Sequence, residues 1–147
     1  PYREKVSVKT VLIDIDVILD VLIKREPFFA PAANLWINVE KKRIRPYLAS
    51  HTITTLFYLV RKAKGKKMAK KSIKDLLSIF EIAPVDRSTL LLALESDFAD
   101  FEDAVQYAAA KQVSADFIVT RNIKDYKNSD IPVASPEIFL ATLELSE

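Results

Sequence analysis

The chain has 147 residues, 50% of them hydrophobic and 29% charged, and its 22 basic and 20 acidic side chains leave a formal net charge of +2. This is enough apolar material for one domain with a real core, and too little net charge for global electrostatics to select a partner. Cysteine is absent, which excludes disulfides, thiolate nucleophiles and cysteine-ligated zinc; the lone glycine, Gly65, excludes dinucleotide fingerprints and P-loops, whose backbones need several glycines to approach phosphate.

Apolar, β-branched runs alternate with longer amphipathic stretches along the chain, the pattern of an α/β fold with a parallel sheet. Ser7 to Ile13 reads as a buried strand and Asp16 to Lys24 as a short helix ending before Pro27. A longer helix follows to about Lys42, with Ala33, Trp36, Ile37 and Glu40 at helical spacing. Arg45 to Ala49 reads as a strand, after which Ser50 is placed to cap a helix from Thr52 to Lys64, ended by Gly65. Lys67 to Phe80 is predicted helical, Ile82 to Val85 a strand, and Ser88 to Ser96 and Phe101 to Val113 two further helices. Asp116 to Thr120 reads as a strand, Ile131 to Val133 as an edge strand containing Pro132, and Pro136 to Leu145 as a closing helix. Residues 1–147 read as a single domain without internal repeat or linker. No apolar run approaches the roughly 20 residues that span a bilayer, so a soluble cytoplasmic protein with no membrane partner is expected.

Acids crowd where this topology gathers strand ends. Asp14 ends the run Val11-Leu12-Ile13, Asp97, Asp100 and Asp103 fall within DFADFEDAVQYAAA, and Asn122 and Asp125 follow Phe117-Ile118-Val119. Parallel strands deliver their carboxyl ends to one crevice, the usual ligand position in open α/β sheets. Carboxylates gathered there need a cation, and the spacing points to a magnesium or manganese site that hydrolyses a phosphodiester without a histidine base. Structural roles compete at several positions. Asp100 suits a helix N-cap with Asp103 at the third helical position, the role favoured for it. Asn122 and Asp125 suit a turn as well as a metal. The stretch RKAKGKKMAKK, with Arg61, Lys62, Lys64, Lys66 and Lys67, reads equally as an RNA-binding surface or a solvated helix junction. Helical spacing assigns Phe57 and Tyr58 to packing before base stacking, Trp36 to the core or a dimer interface, and His51 to a helix start.

As a set, VLIDIDVILDVLIKREPF, ASHTITTLFYLVRK, FEIAPVD, DFADFEDAVQYAAA, IVTRNIKDYKNSDIPV and SPEIFL, in order from Lys9 to Leu140, resemble the PIN-domain family, in particular its bacterial branch of VapC-type toxin ribonucleases. The resemblance implies a three-layer α/β/α fold around a parallel sheet of four to five strands. It also implies metal-dependent cleavage of single-stranded RNA, leaving a 5′-phosphate and a 3′-hydroxyl, with a cognate antitoxin and a second copy of the chain as partners. Asp14 matches the family's first, metal-binding acid, and Asp103 the acid at the start of the helix facing the site, with Asp100 one turn before it. Asn122 and Asp125 match the region of the last acid. The resemblance thus makes Asp14, Asp103 and Asp125 catalytic and puts Asp14, Asp100, Asp103, Asn122 and Asp125 around Mg2+ or Mn2+.

Two positions depart from the family pattern. Asp16 stands where an asparagine usually orients the first acid, and two carboxylates this close repel unless a cation neutralises them. Thr55 stands where many members carry a glutamate; a hydroxyl there supports a bound water but brings no charge. That substitution motivates an alternative, a PIN-like module with weakened catalysis that binds RNA or protein. The pair Asp14-Ile15-Asp16 before Val17-Ile18-Leu19 motivates another, a haloacid-dehalogenase-type phosphatase with Asp14 as nucleophile, although the usual threonine after the pair is missing.

Overall fold

The computed structural model describes residues 8–145, so Ser7, the expected start of the first strand, lies outside the described residues. In chain order the elements are β1 (Lys9–Ile13), α1 (Ile15–Leu22), α2 (Phe29–Glu40), β2 (Ile44–Ala49), α3 (Ile53–Lys64), α4 (Lys66–Ile79), β3 (Glu81–Ala83), α5 (Arg87–Glu95), α6 (Phe101–Gln112), β4 (Phe117–Val119), β5 (Val133–Ala134) and α7 (Pro136–Leu145). Short 3-10 turns occupy Ser50–Thr52 and Ile123–Tyr126. The five strands form one all-parallel sheet in the order β3-β2-β1-β4-β5.

Central parallel strands are covered on both faces, which is why β1 reads as a continuous apolar run. Its two-residue period sorts side chains between two cores. Val11 and Ile13 enter the larger core, filled by Val17 and Ile18 of α1, Leu35 of α2, Leu56 and Val60 of α3, Leu76 of α4 and Phe139 of α7. Leu12 enters the opposite core beside Tyr107, Ala109 and Ala110 of α6. On that side α5 packs outside α6 through Ala93, Ala104 and Ala108. The alanine-rich sequence of α6 follows from this position, since a helix held between a sheet and another helix has room only for small side chains on both faces. The expected three layers are present, with five strands in the sheet.

The chain order runs from β1 outward to β2 and β3, then returns to β4 on the other side of β1. Neighbouring connections therefore diverge between β1 and β4, and the crevice at a parallel sheet's carboxyl edge opens at such a switch point. Asp14 follows β1 directly and Thr120 follows β4; the Asp14 amide donates to the Val119 carbonyl at 2.9 Å, so the two strand ends are locked side by side.

Local expectations fail where a side chain has a better distant partner. Ser50 does not cap α3: it lies in a 3-10 turn, its hydroxyl accepts from the Val85 amide at 2.9 Å, and the helix starts at Ile53. Val85 thereby leaves β3, which ends at Ala83. The last strand is Val133–Ala134, with Pro132 just before it, lacking an N–H but accepting from the Ile118 amide at 2.9 Å. Trp36 is half-buried against the larger core, edge-on to Phe80 with ring centroids 5.1 Å apart. Phe57 packs against the larger core, while Tyr58 on the same helix is exposed.

Candidate functional site

Asp14 occupies the N-cap position of α1 in extended conformation, yet its side chain does not cap the helix. It turns into the crevice, where only 9% of the residue remains exposed. One oxygen, Oδ2, accepts from the Thr120 hydroxyl at 2.8 Å, and Oδ1 accepts from the Gln106 amide nitrogen at 3.3 Å. Burial raises its pKa above the ordinary carboxylate value; the Thr120 hydrogen bond opposes the shift and the charge of Asp16 adds to it.

Asp103 stands in the first turn of α6, its amide capped by the Asp100 carboxylate at 3.0 Å. The cap favoured for Asp100 is thus formed. Burial, followed by the charges of Asp100, Asp125, Asp14 and Glu102, pushes the Asp103 carboxyl up to about 7. The charges that act on Asp103 thus come from β1's end, from α6 and from the turn after β4.

Asp16, half-exposed, accepts from the Asn122 side-chain amide at 3.2 Å and from Arg25 Nη2 at 3.4 Å. Asn122 turns its amide nitrogen to that acid, and its own backbone N–H donates to the Thr120 hydroxyl at 3.0 Å. Asp125 is exposed in the Ile123–Tyr126 turn.

Three polar side chains at the site were not singled out from the sequence: Thr120, Gln106 and Tyr126. Thr120 is fully buried and serves Asp14 and Asn122 at once. Gln106 lies one turn beyond Asp103 on the same face of α6, and the signal that could have found it is its place as the one polar residue in the run Ala104-Val105-Gln106-Tyr107-Ala108. The buried Tyr126 hydroxyl lies beside Gln106, and burial together with Asp14 and Asp103 holds it protonated far above its ordinary range.

Thr55 is exposed on the first turn of α3 and opens with His51, Phe101, Glu102 and Val105 onto a groove of about 350 Å³. His51 is kept neutral by burial, which lowers its pKa against the opposing charge of Glu102. Arg61, Lys62, Lys64, Lys66 and Lys67 are exposed at the tip of the α3–α4 hairpin. At 1.5 Å per residue, α3 carries that tip roughly 18 Å from the Ser50–Thr52 turn.

Among the described residues no three acidic or histidine side chains close into a preformed metal cage. The donor set is nevertheless all oxygen, is rich in uncompensated negative charge, and opens to solvent at Asp16 and Asp125. A hard ion that keeps most of its waters and takes one or two carboxylates fits these residues, and a fully ligated ion does not.

Residues 10–124 match the family model described as PIN domain. The chain is 34% identical over 96 residues to Ribonuclease VapC1 of Aquifex aeolicus (strain VF5), the match covering 62% of this chain and 65% of that protein, so it spans slightly less than two thirds of the relative's length. In fold it is similar to FitAB bound to an IR36 DNA fragment, with a TM-score of 0.69 at 21% identity over 86% of this chain and 94% of that one. It is also similar to VapBC2 from Rickettsia felis bound to a DNA fragment from their promoter, with a TM-score of 0.64 at 18% identity over 86% of this chain and 97% of that one. Over most of its length, and with its acids gathered at the sheet's switch point, the chain belongs to the PIN domain family.

Proposed function

We propose that the protein is a magnesium- or manganese-dependent endoribonuclease acting on single-stranded RNA, the toxin of a toxin–antitoxin pair. The observation that carries the reading is geometric: Asp14 is held at the end of β1, at the sheet's switch point, by Thr120 after β4 and by Gln106, one turn beyond Asp103 on α6, within a chain whose residues 10–124 match the PIN domain. Asp14, Asp103 and Asp125 would hold the ion, with Asp100 and Asn122 at its margin. When bound, the ion supplies activation of a water and polarisation of the phosphoryl group. The chain's own work is placement. Thr120 and Gln106 fix both oxygens of Asp14, Asn122 and Arg25 orient Asp16, and Asp100 holds the first turn of α6 so that Asp103 faces the crevice.

A cognate antitoxin is the proposed protein partner, supported by likeness to the two-component assemblies FitAB and VapBC2. A homodimer and a cytoplasmic location complete the reading; α5 exposes Leu90, Leu91 and Leu94, apolar surface suited to a second copy, and among the described residues no helix is long and apolar enough to cross a membrane.

Cleavage of a labelled single-stranded RNA with magnesium or manganese tests the proposal. Chelation abolishes the activity, and Asp14→Asn and Asp103→Asn each reduce it by more than about 100-fold, beyond the usual cost of losing an outer partner of a metal site. Full activity in both variants would refute the site. One observation favours a second reading, a binding module with weakened catalysis: Thr55 faces the His51–Glu102 groove and contributes no carboxylate. Under that reading, ion-loaded protein binds RNA without cutting it. Family membership leaves the phosphatase reading without support.

A further inference from the structure

Asp20 is an acid that neither the motif nor the proposed chemistry uses, yet it is 1% exposed, in the last turn of α1 within the apolar run Val17-Ile18-Leu19-Asp20-Val21. It meets two arginines from different segments of the chain. Arg25, after α1, donates from Nε to Asp20 Oδ1 at 2.9 Å. Arg121, after β4, approaches Asp20 Oδ2 with its Nε at 2.9 Å while its guanidinium lies over the Phe28 ring, 3.9 Å from the centroid. The Arg121 contact is an ion pair whose two atoms lack hydrogen-bond alignment, so the guanidinium is restrained by charge and by stacking on its face.

Both arginines continue to the acids. Arg25 Nη2 donates to the Asp16 carbonyl at 3.0 Å and reaches the Asp16 carboxylate at 3.4 Å. Arg121 stands between Thr120, whose hydroxyl donates to Asp14, and Asn122, whose amide donates to Asp16. Pinning Arg121 thus pins the backbone that presents both donors.

We propose that Asp20 is a positioning residue, which through Arg25 and Arg121 sets the separation and orientation of Asp14 and Asp16 across the crevice. A buried ion pair is a poor way to gain stability, since well-packed apolar side chains of similar volume often do as well. What it gives here is a fixed distance between α1 and the end of β4, and one net positive charge that reduces repulsion between the two acids.

The inference rests on the nuclease reading of the crevice, so the experiment has one arm with the ion and one without. In metal-free protein, amide NMR follows the Asn122 side-chain signal and the Thr120 backbone signal in Arg121→Met, Arg121→Lys and Asp20→Asn. Both signals shift in Arg121→Met and Asp20→Asn, and Arg121→Lys, which keeps charge without the planar fork, lies between. Calorimetry then shows manganese affinity reduced roughly tenfold in the same variants, with kcat for RNA falling while KM holds. In an Arg25→Met/Arg121→Met background, Asp20→Asn adds no further loss, because its route to the acids is gone. Asn122 and Thr120 signals and manganese affinity unchanged in folded Arg121→Met would overturn the assignment, and that variant decides if Asp20→Asn does not fold. Wild-type protein that binds no manganese removes the nuclease reading, and the metal-free arm then decides this one.

Discussion

Asp103 concentrates the electrostatics of the crevice in one titration. Its folded pKa of about 7 lies above the ordinary 3.8, so between those values the folded protein holds a proton that the unfolded chain has released. Stability of the ion-free protein therefore falls as pH rises through that window. Asp14 is shifted in the same direction, mainly by burial, and adds to the trend. Thermal unfolding in the presence of chelator should show a higher midpoint at pH 5 than at pH 8, and Asp103→Asn should flatten the curve. Manganese should raise the midpoint more at pH 8 than at pH 5, because the ion competes with the proton for the same oxygens. A wild-type curve as flat as that of the variant would contradict the cluster. At this scale the sequence displayed the acids but not their partners. Asp14 stood out because a carboxylate that ends a buried strand is costly unless a cation or donor meets it, and Asp103 because the resemblance to the PIN family fixes its position. Thr120 and Asp20 did not, since a threonine ending a strand and an aspartate within an amphipathic helix are ordinary until partners about 100 residues away fold against them.

Elements were legible wherever one physical signal dominated. β1 and β4 declared themselves as apolar runs stopped by polar residues, and α4 and α6 by helical spacing. The ends of β3 and β5 were obscured because each depends on a partner from elsewhere, Ser50 for Val85 and Ile118 for Pro132. Gly65 is the position where one residue type fixes an element boundary. It has φ +91°, and its amide donates to the Arg61 carbonyl at 2.8 Å as α3 ends and α4 begins. A Cβ built there meets nothing within 4 Å, so the cost of Gly65→Ala is conformational only, roughly 1–3 kcal/mol for a non-glycine residue in this region. Urea unfolding should show a lowered midpoint with an unchanged slope, whereas Lys62→Ala, exposed on the adjoining turn, should stay within about 0.5 kcal/mol of the parent. Equal stability of the two variants would mean that the hairpin does not need its left-handed corner.

The molecule separates its charges along α3. Acids collect at the carboxyl edge of the sheet, while Arg61, Lys62, Lys64, Lys66 and Lys67 sit at the hairpin tip, one α3 length or about 18 Å by helix rise from the Ser50–Thr52 turn. A net charge of +2 conceals this polarity. An anionic strand is repelled by the bare crevice and attracted by the tip, so the tip's contribution belongs to binding and the crevice's to the reacting step. Neutralising Lys64, Lys66 and Lys67 together to glutamine should therefore weaken RNA binding and reduce its dependence on salt. Each lost phosphate contact lowers the logarithmic salt slope by about 0.7 for a single strand, so three lost contacts remove about 2 from it. The rate at saturating RNA should hold, because none of the three residues borders Asp14 or Asp103. Filter-binding titrations across a salt series, paired with single-turnover cleavage, separate the two effects. An unchanged slope would assign the tip to the solvated helix junction that its composition equally allows, and a fall in the saturated rate would place the reacting strand against the hairpin itself.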